Sequence, residues 1–185
     1  MVKMVVATRI ALVLLLSAPV WFVSCGGGTA GDADEACATC DSLYLGYRFG
    51  MTLEEFFDHC RTLNREGVLN EGDEMNTVTQ EIYFSVAARI YIKPSFDEEG
   101  GIYQLDMLFQ YNVLPMFRPE LTPAKLREET LAFMQKELGK KLKPREHPLY
   151  KRVWERVDGH RRIRLYHEGE RIKVEYYDLR HQVTG

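Results

Sequence analysis

Apolar residues recur along this chain with two different periods, and the switches between them mark its elements. Thr52 and Glu55 form a T-x-x-E capping box, in which each side chain satisfies a backbone N–H that the first helical turn leaves unpaired. Leu53, Phe56, Phe57, Cys60 and Leu63 then follow at helical spacing, opposite Glu54, Asp58, His59 and Arg61. This pattern predicts a helix that Gly67 stops. Ahead of it, Leu43–Phe49 alternates and reads as a short strand; behind it, Val68–Val78 reads as polar loop. From Gln80 the period is two. Ile82, Phe84, Val86, Ala88, Ile90 and Ile92 share one face of what reads as a single long, half-buried strand. Pro94–Gly101 is a hairpin loop, and Tyr103, Leu105, Met107, Phe109 and Tyr111 form the apolar face of the returning strand.

Leu114–Leu121, with Pro115 and Pro119, is a connection. Thr122 as cap and Pro123 at the first helical position open a second helix, with Leu126, Thr130, Phe133, Met134 and Leu138 as its core stripe and Gly139 as its end. Three antiparallel strands follow, Arg152–Val157, His160–His167 and Glu170–Leu179, joined by Asp158-Gly159 and Glu168-Gly169 as two-residue turns. In that register Ile163 faces Val174, Leu165 faces Ile172, and Glu155, Arg162 and Glu175 form a charge ladder on the outer face. The expected fold is α+β: two helices packed on one face of an antiparallel sheet, in the order helix-strand-strand-helix-strand-strand-strand.

The first 25 residues belong to a different physical class. Lys3 and Arg9 precede an apolar run, Ile10–Val23, that is shorter than the ~20 residues a bilayer-crossing helix needs and ends in small residues. This is the layout of a secretory signal. Its last residues, Phe22-Val23-Ser24-Cys25, resemble the lipobox of bacterial lipoproteins. The resemblance implies cleavage before Cys25, acylation of that residue and a lipid-anchored place in the bacterial cell envelope, at the outer membrane. Several acyl chains hold a protein stably where one is marginal. Gly26-Gly27-Gly28 suits a tether. The expected organisation is therefore a signal peptide over 1–24, a lipidated tether over 25–42 and a single domain over 43–185. Within the tether, Asp32-Ala33-Asp34-Glu35 resembles the acidic export signals that follow the lipidated cysteine in some surface lipoproteins.

Charge is distributed unevenly. Cys25–Gly101 holds 5 basic and 15 acidic residues, and Ile102–Gly185 holds 17 basic and 12 acidic. Basic side chains concentrate in Lys140, Lys141, Lys143, Arg145, Lys151, Arg152, Arg156, Arg161, Arg162 and Arg164. The guanidinium fork suits phosphate and carboxylate, so the candidate anion-binding residues are Lys140, Lys141, Lys143, Arg152, Arg156, Arg161, Arg162 and Arg164. Cys37-Ala38-Thr39-Cys40 has C-x-x-C spacing, but no second Cys/His pair is near enough for zinc and no helix start lies beside it to activate a thiolate. Outside the cytoplasm a structural disulfide is expected, Cys37 to Cys40 or one of them to Cys60.

Phe49-Gly50-Met51-Thr52-Leu53-Glu54-Glu55-Phe56 resembles the G-M-[ST]-x-x-[EQ] opening of SmpA/OmlA-type outer-membrane lipoproteins. That resemblance implies a helix-then-sheet fold like that of β-lactamase-inhibitor proteins and a part in β-barrel assembly, and it transfers no functional residue. Histidines 59, 147, 160, 167 and 181 lack metal-ligand spacing and no serine sits in a nucleophile elbow, so no enzyme, metal or cofactor is expected. The expected function is an anchored binding or assembly module. Its partners are the bilayer, through acylated Cys25, and another envelope protein, met at a sheet edge or at the tyrosines Tyr166, Tyr176 and Tyr177. The alternative is recognition of an anionic envelope component, a lipid head group, lipopolysaccharide phosphate or acidic glycan, through Lys140–Arg164. Nucleic acid is excluded by the compartment.

Overall fold

A computed structural model describes residues 40–72, 77–113 and 117–181. Among these residues the chain forms two helices and eight strands, in the order α1 (Leu53–Arg65), β1 (Asn70–Glu71), β2 (Val78–Tyr83), β3 (Ala87–Phe96), β4 (Ile102–Tyr111), α2 (Pro123–Leu138), β5 (Lys143–His147), β6 (Lys151–Asp158), β7 (Arg161–Glu168) and β8 (Arg171–Asp178). The strands make one sheet, ordered β1-β2-β3-β4-β8-β7-β6-β5, with every pairing antiparallel. The α+β class holds. Helix plus four strands occurs twice, and the two halves meet at their last strands, β4 and β8.

Both helices start as the capping chemistry requires. The Thr52 side chain accepts from the Glu55 N–H while the Glu55 carboxylate accepts from the Thr52 N–H, and Thr122 accepts from the Lys125 N–H with Pro123 behind it. Gly139 closes α2 at φ 63°, a backbone conformation that lacks a Cβ penalty only in glycine. One buried cluster gathers Phe56 and Cys60 from α1, Leu126 and Met134 from α2, and Ile90, Ile92, Leu105, Met107, Phe109, Ile163, Leu165, Ile172, Val174 and Tyr176 from the strands. α2 lies over β4, β7 and β8. Leu53 and Phe57 of the expected α1 stripe are exposed, because only one narrow side of α1 reaches the core.

Four expectations about the strands need correction. Val68–Val78, read as loop, contains β1, whose two exposed residues Asn70 and Glu71 pair with Thr79 and Val78 and carry no apolar alternation. The long strand from Gln80 is a hairpin, in which Ile82 pairs with Ala88 and Gln80 with Ile90 around Phe84-Ser85-Val86. Paired residues there share parity, so the alternation runs through the turn undisturbed and no Gly, Pro, Asn or Asp betrays it. β5 was not expected at all; four of its five residues are exposed and it has no apolar alternation. Tyr44–Gly46 is a 3-10 turn instead of a strand, with Leu45 at φ 52°. The stated order therefore becomes helix, four strands, helix, four strands.

The meander register is also shifted by two residues. Asp158 pairs with Arg161 and Glu168 with Arg171, which puts Gly159 and Gly169 first in their two-residue turns, with φ of 55° and 65°. Ile163 consequently faces Tyr176, and Leu165 faces Val174. A shift of two leaves every side chain on its expected face and changes only its neighbours. The charge ladder becomes Lys143–Glu155–Arg164–Glu175–Asp106–Lys93, directly paired across β5, β6, β7, β8, β4 and β3, with Arg164 in the rung expected for Arg162.

Candidate functional site

Two places on the domain gather polar chemistry, and both lie at the end of the sheet where the described chain begins. In the first, the lead-in segment is fastened to the strands. Asp41 Oδ1 accepts from His160 Nε2 at 2.9 Å and from Arg180 Nη2 at 2.6 Å. Arg180 also grips the buried Asp178 through its backbone N–H and its guanidinium, with Nη2 2.7 Å from Oδ2. One oxygen or nitrogen from each of Asp41, His160 and Asp178 falls within 4.8 Å of the others, a spacing that suits a metal ion. The Arg180 guanidinium already bridges both carboxylates, so the arrangement works as a clamp whose cation the protein itself supplies. Burial acts to raise the Asp41 pKa, but the hydrogen bonds and charges of His160 and Arg180 outweigh it and hold the carboxyl below its ordinary value. Asp41, Tyr103, Asp178, Arg180 and His181 line a cavity of about 890 Å³, with the Tyr103 and His181 rings stacked 4.0 Å apart.

Sequence spacing had no means of showing this cluster, since 119 positions separate Asp41 from His160. His181 lines the cavity beside it, and the remaining three histidines are placed apart. His59 Nε2 meets the Leu45 carbonyl at 2.7 Å, His147 stacks on Tyr150, and burial and the nearby Arg127 lower the His167 pKa.

The second place is the basic region, and the structure divides it. The arginines are spoken for. Arg156 grips Asp158 with both ends of its fork; Arg161 reaches Asp158 and the Ser42 carbonyl; Arg162 reaches Glu175 and lies 4.6 Å over the Tyr177 ring; Arg164 Nε donates to Glu155 at 2.5 Å; Arg152 approaches Glu146. Burial acts to raise the Asp158 pKa, and Arg156, Arg161 and Lys140 overcome it and hold the carboxyl below its ordinary value. Lys140, Lys141 and Lys143 stand exposed instead. Lys140 shares a cavity of about 420 Å³ with Ser42, Glu137 and Asp158, and Lys141 and Lys143 share a smaller one with Arg145, Glu155 and Arg156.

Cys25 and Cys37 lie outside the described residues. Cys40 is fully buried and disulfide-bonded. Cys60 is a free thiol in the core, 3.2 Å from the Tyr47 hydroxyl, so the alternative that paired it is corrected: its place on the buried stripe of α1 hands it to the core. Burial raises its pKa and leaves it a packing residue. Of the tyrosines expected to make a docking surface, Tyr176 faces the core and Tyr166 is covered by Tyr150, stacked 4.0 Å away, which leaves Tyr177 half-buried beneath Arg162. Among the described residues no helix is long and apolar enough to cross a membrane.

Comparison with protein-family models, with curated proteins and with solved structures finds no match in any of the three.

Proposed function

We propose that the chain is a lipid-anchored module of the bacterial cell envelope, held at the outer membrane by acylated Cys25, that presents one face of its sheet to another envelope protein. Both helices cover one face of the sheet in this reading, and the opposite face is left for the partner. The observation that carries it is the charged row Lys143–Glu155–Arg164–Glu175–Asp106–Lys93, which crosses six strands without a helix over it. Four of the five direct pairs in the row are of opposite sign, and at the fifth, Glu175 beside Asp106, Lys173 Nζ lies 2.7 Å from the Asp106 carboxylate, so such a face is soluble alone and still offers fixed, oriented charge to a complementary surface. The sheet edges are poorer candidates than the sequence suggested. β1 is two residues long, and β5 carries Lys143, Pro144 and Arg145, the means by which natural edges resist strand addition.

The reading is tested by placing a photo-crosslinking residue at Tyr91 or Gln110 on the open face, and at Glu128 or Lys136 on α2, in cells that make the native chain. Specific protein adducts from the sheet positions and none from α2 are expected. Adducts from α2 alone, or equal adducts from all four, would contradict it.

A further inference from the structure

We infer that Lys140, Lys141 and Lys143 form a corner that rests on anionic phospholipid head groups of the same bilayer that holds the anchor. The inference rests on the lipid-anchor reading and adds to it an orientation for the domain. Three observations lead to it. First, the structure separates the basic region by chemistry, as described above: Arg156, Arg161, Arg162 and Arg164 are occupied by carboxylates or carbonyls, whereas none of the three lysines has a carboxylate within ion-pair distance among the described residues. Their acidic neighbours are engaged elsewhere, Asp158 by Arg156 and Arg161, and Glu155 by Arg164 and Arg145. Two carboxylates, Asp158 and Glu137, line a cavity with Lys140, and Asp158 is the one already held by Arg156 and Arg161.

Second, the lysines sit where the chain leaves for its anchor. Lys140 and Ser42 line the same cavity, and Ser42 is two residues from Cys40. The clamp of Asp41 to His160 and Arg180 fixes that point of departure on the sheet end. Fifteen residues lead from Cys25 to Cys40. Even fully extended they reach about 50 Å, so of all parts of the domain this end of the sheet is the one tethered nearest the bilayer. Lysines held there fall repeatedly within a Debye length, about 8 Å at physiological salt, of the lipid phosphates.

Third, the same end of the sheet is polarised. The β3–β4 loop carries Asp97, Glu98 and Glu99 and is separated from β5 by β4, β8, β7 and β6, which at about 4.8 Å per strand puts it roughly 20 Å away. An anionic surface draws the lysine corner down and pushes the acidic loop up, so the domain leans toward β5.

The test uses the acylated chain purified from membranes and reconstituted in vesicles of phosphatidylcholine alone, or of phosphatidylcholine with phosphatidylglycerol, and reads each lysine by amine-reactive labelling and mass spectrometry. Lys125, near the start of α2 at the far end of the sheet, is the internal reference. Labelling of Lys140, Lys141 and Lys143 relative to Lys125 should fall about threefold or more on the anionic vesicles, and high salt should restore it. Ratios that ignore lipid charge, or equal protection of Lys125, would overturn the orientation while leaving the anchor intact. A chain that fails to float with the neutral vesicles would overturn the anchor, and this inference with it.

Discussion

The two faces of the sheet are written one residue apart. In each of β3, β4, β8, β7 and β6 a residue of the core row stands next to a residue of the charged row. Trp154, Leu165, Val174, Met107 and Ile92 are directly paired on one side, and Glu155, Arg164, Glu175, Asp106 and Lys93 on the other. The backbone pairing is the same for both rows. What differs is how each row stabilises the fold: Leu165, Val174, Met107 and Ile92 are fully buried, whereas Arg164 and its neighbours stay in contact with water. Burial of a large aliphatic side chain contributes about 1.5–3 kcal/mol, and an ion pair that water still reaches, as it reaches Arg164 and Glu155 with side chains 24% and 14% exposed, about 1. The core row therefore sets stability, and the charged row sets which rung faces which and, under the proposed function, what the surface would offer to a partner.

The largest break in that comparison is Val174→Asp, which puts a carboxylate at the centre of the core row with no partner. It should cost more than about 4 kcal/mol and abolish a cooperative urea transition, whereas Glu175→Val beside it should leave the transition in place. Next is Leu165→Ala. A loss of about 2–5 kcal/mol in the urea midpoint is expected, and a loss below 1 would mean that the core face is not packed as described.

Acid gives a smaller and directional effect. The Asp158 pKa is depressed below 3.8 in the folded chain, so its contribution is fully present above about pH 5 and is lost as pH falls through 3.8 toward the folded value. Urea midpoints should drop between about pH 5 and about pH 3, and Asp158→Asn should flatten that slope; an unchanged slope would count against the Arg156 and Arg161 grip. The smallest effect is Arg164→Ala, at about 1 kcal/mol or less by the same measurement. A larger value would promote the charged row to a source of stability.

These two faces also explain what was legible in the sequence. A period of two assigns faces, and it assigned them correctly for Leu165, Val174, Met107 and Glu175. It says nothing about a shift of two, so the partners of Ile163 and Arg162 came from turn chemistry, and Gly159 and Gly169 stand first in their turns, where a positive φ is needed, instead of second. The β2–β3 hairpin stayed hidden because Phe84-Ser85-Val86 carries no turn residue and preserves parity. β5 stayed hidden because an edge strand needs no apolar face. Helix caps were the clearest signal, since the partners in each cap, Thr52 with Glu55 and Thr122 with Pro123, act within four residues of one another. The site was the least legible. Asp41 and His160 meet only through the topology, and the split of the basic region into paired arginines and exposed lysines depends on which carboxylate each strand brings alongside.

The claim on which the functional account turns is acylation at Cys25, and metabolic labelling with a fatty-acid probe tests it most directly. The native chain should take up the probe and partition with membranes, and Cys25→Ser should lose both. Label that survives the substitution, or a mature chain that begins at another residue and stays in the soluble fraction, would contradict it.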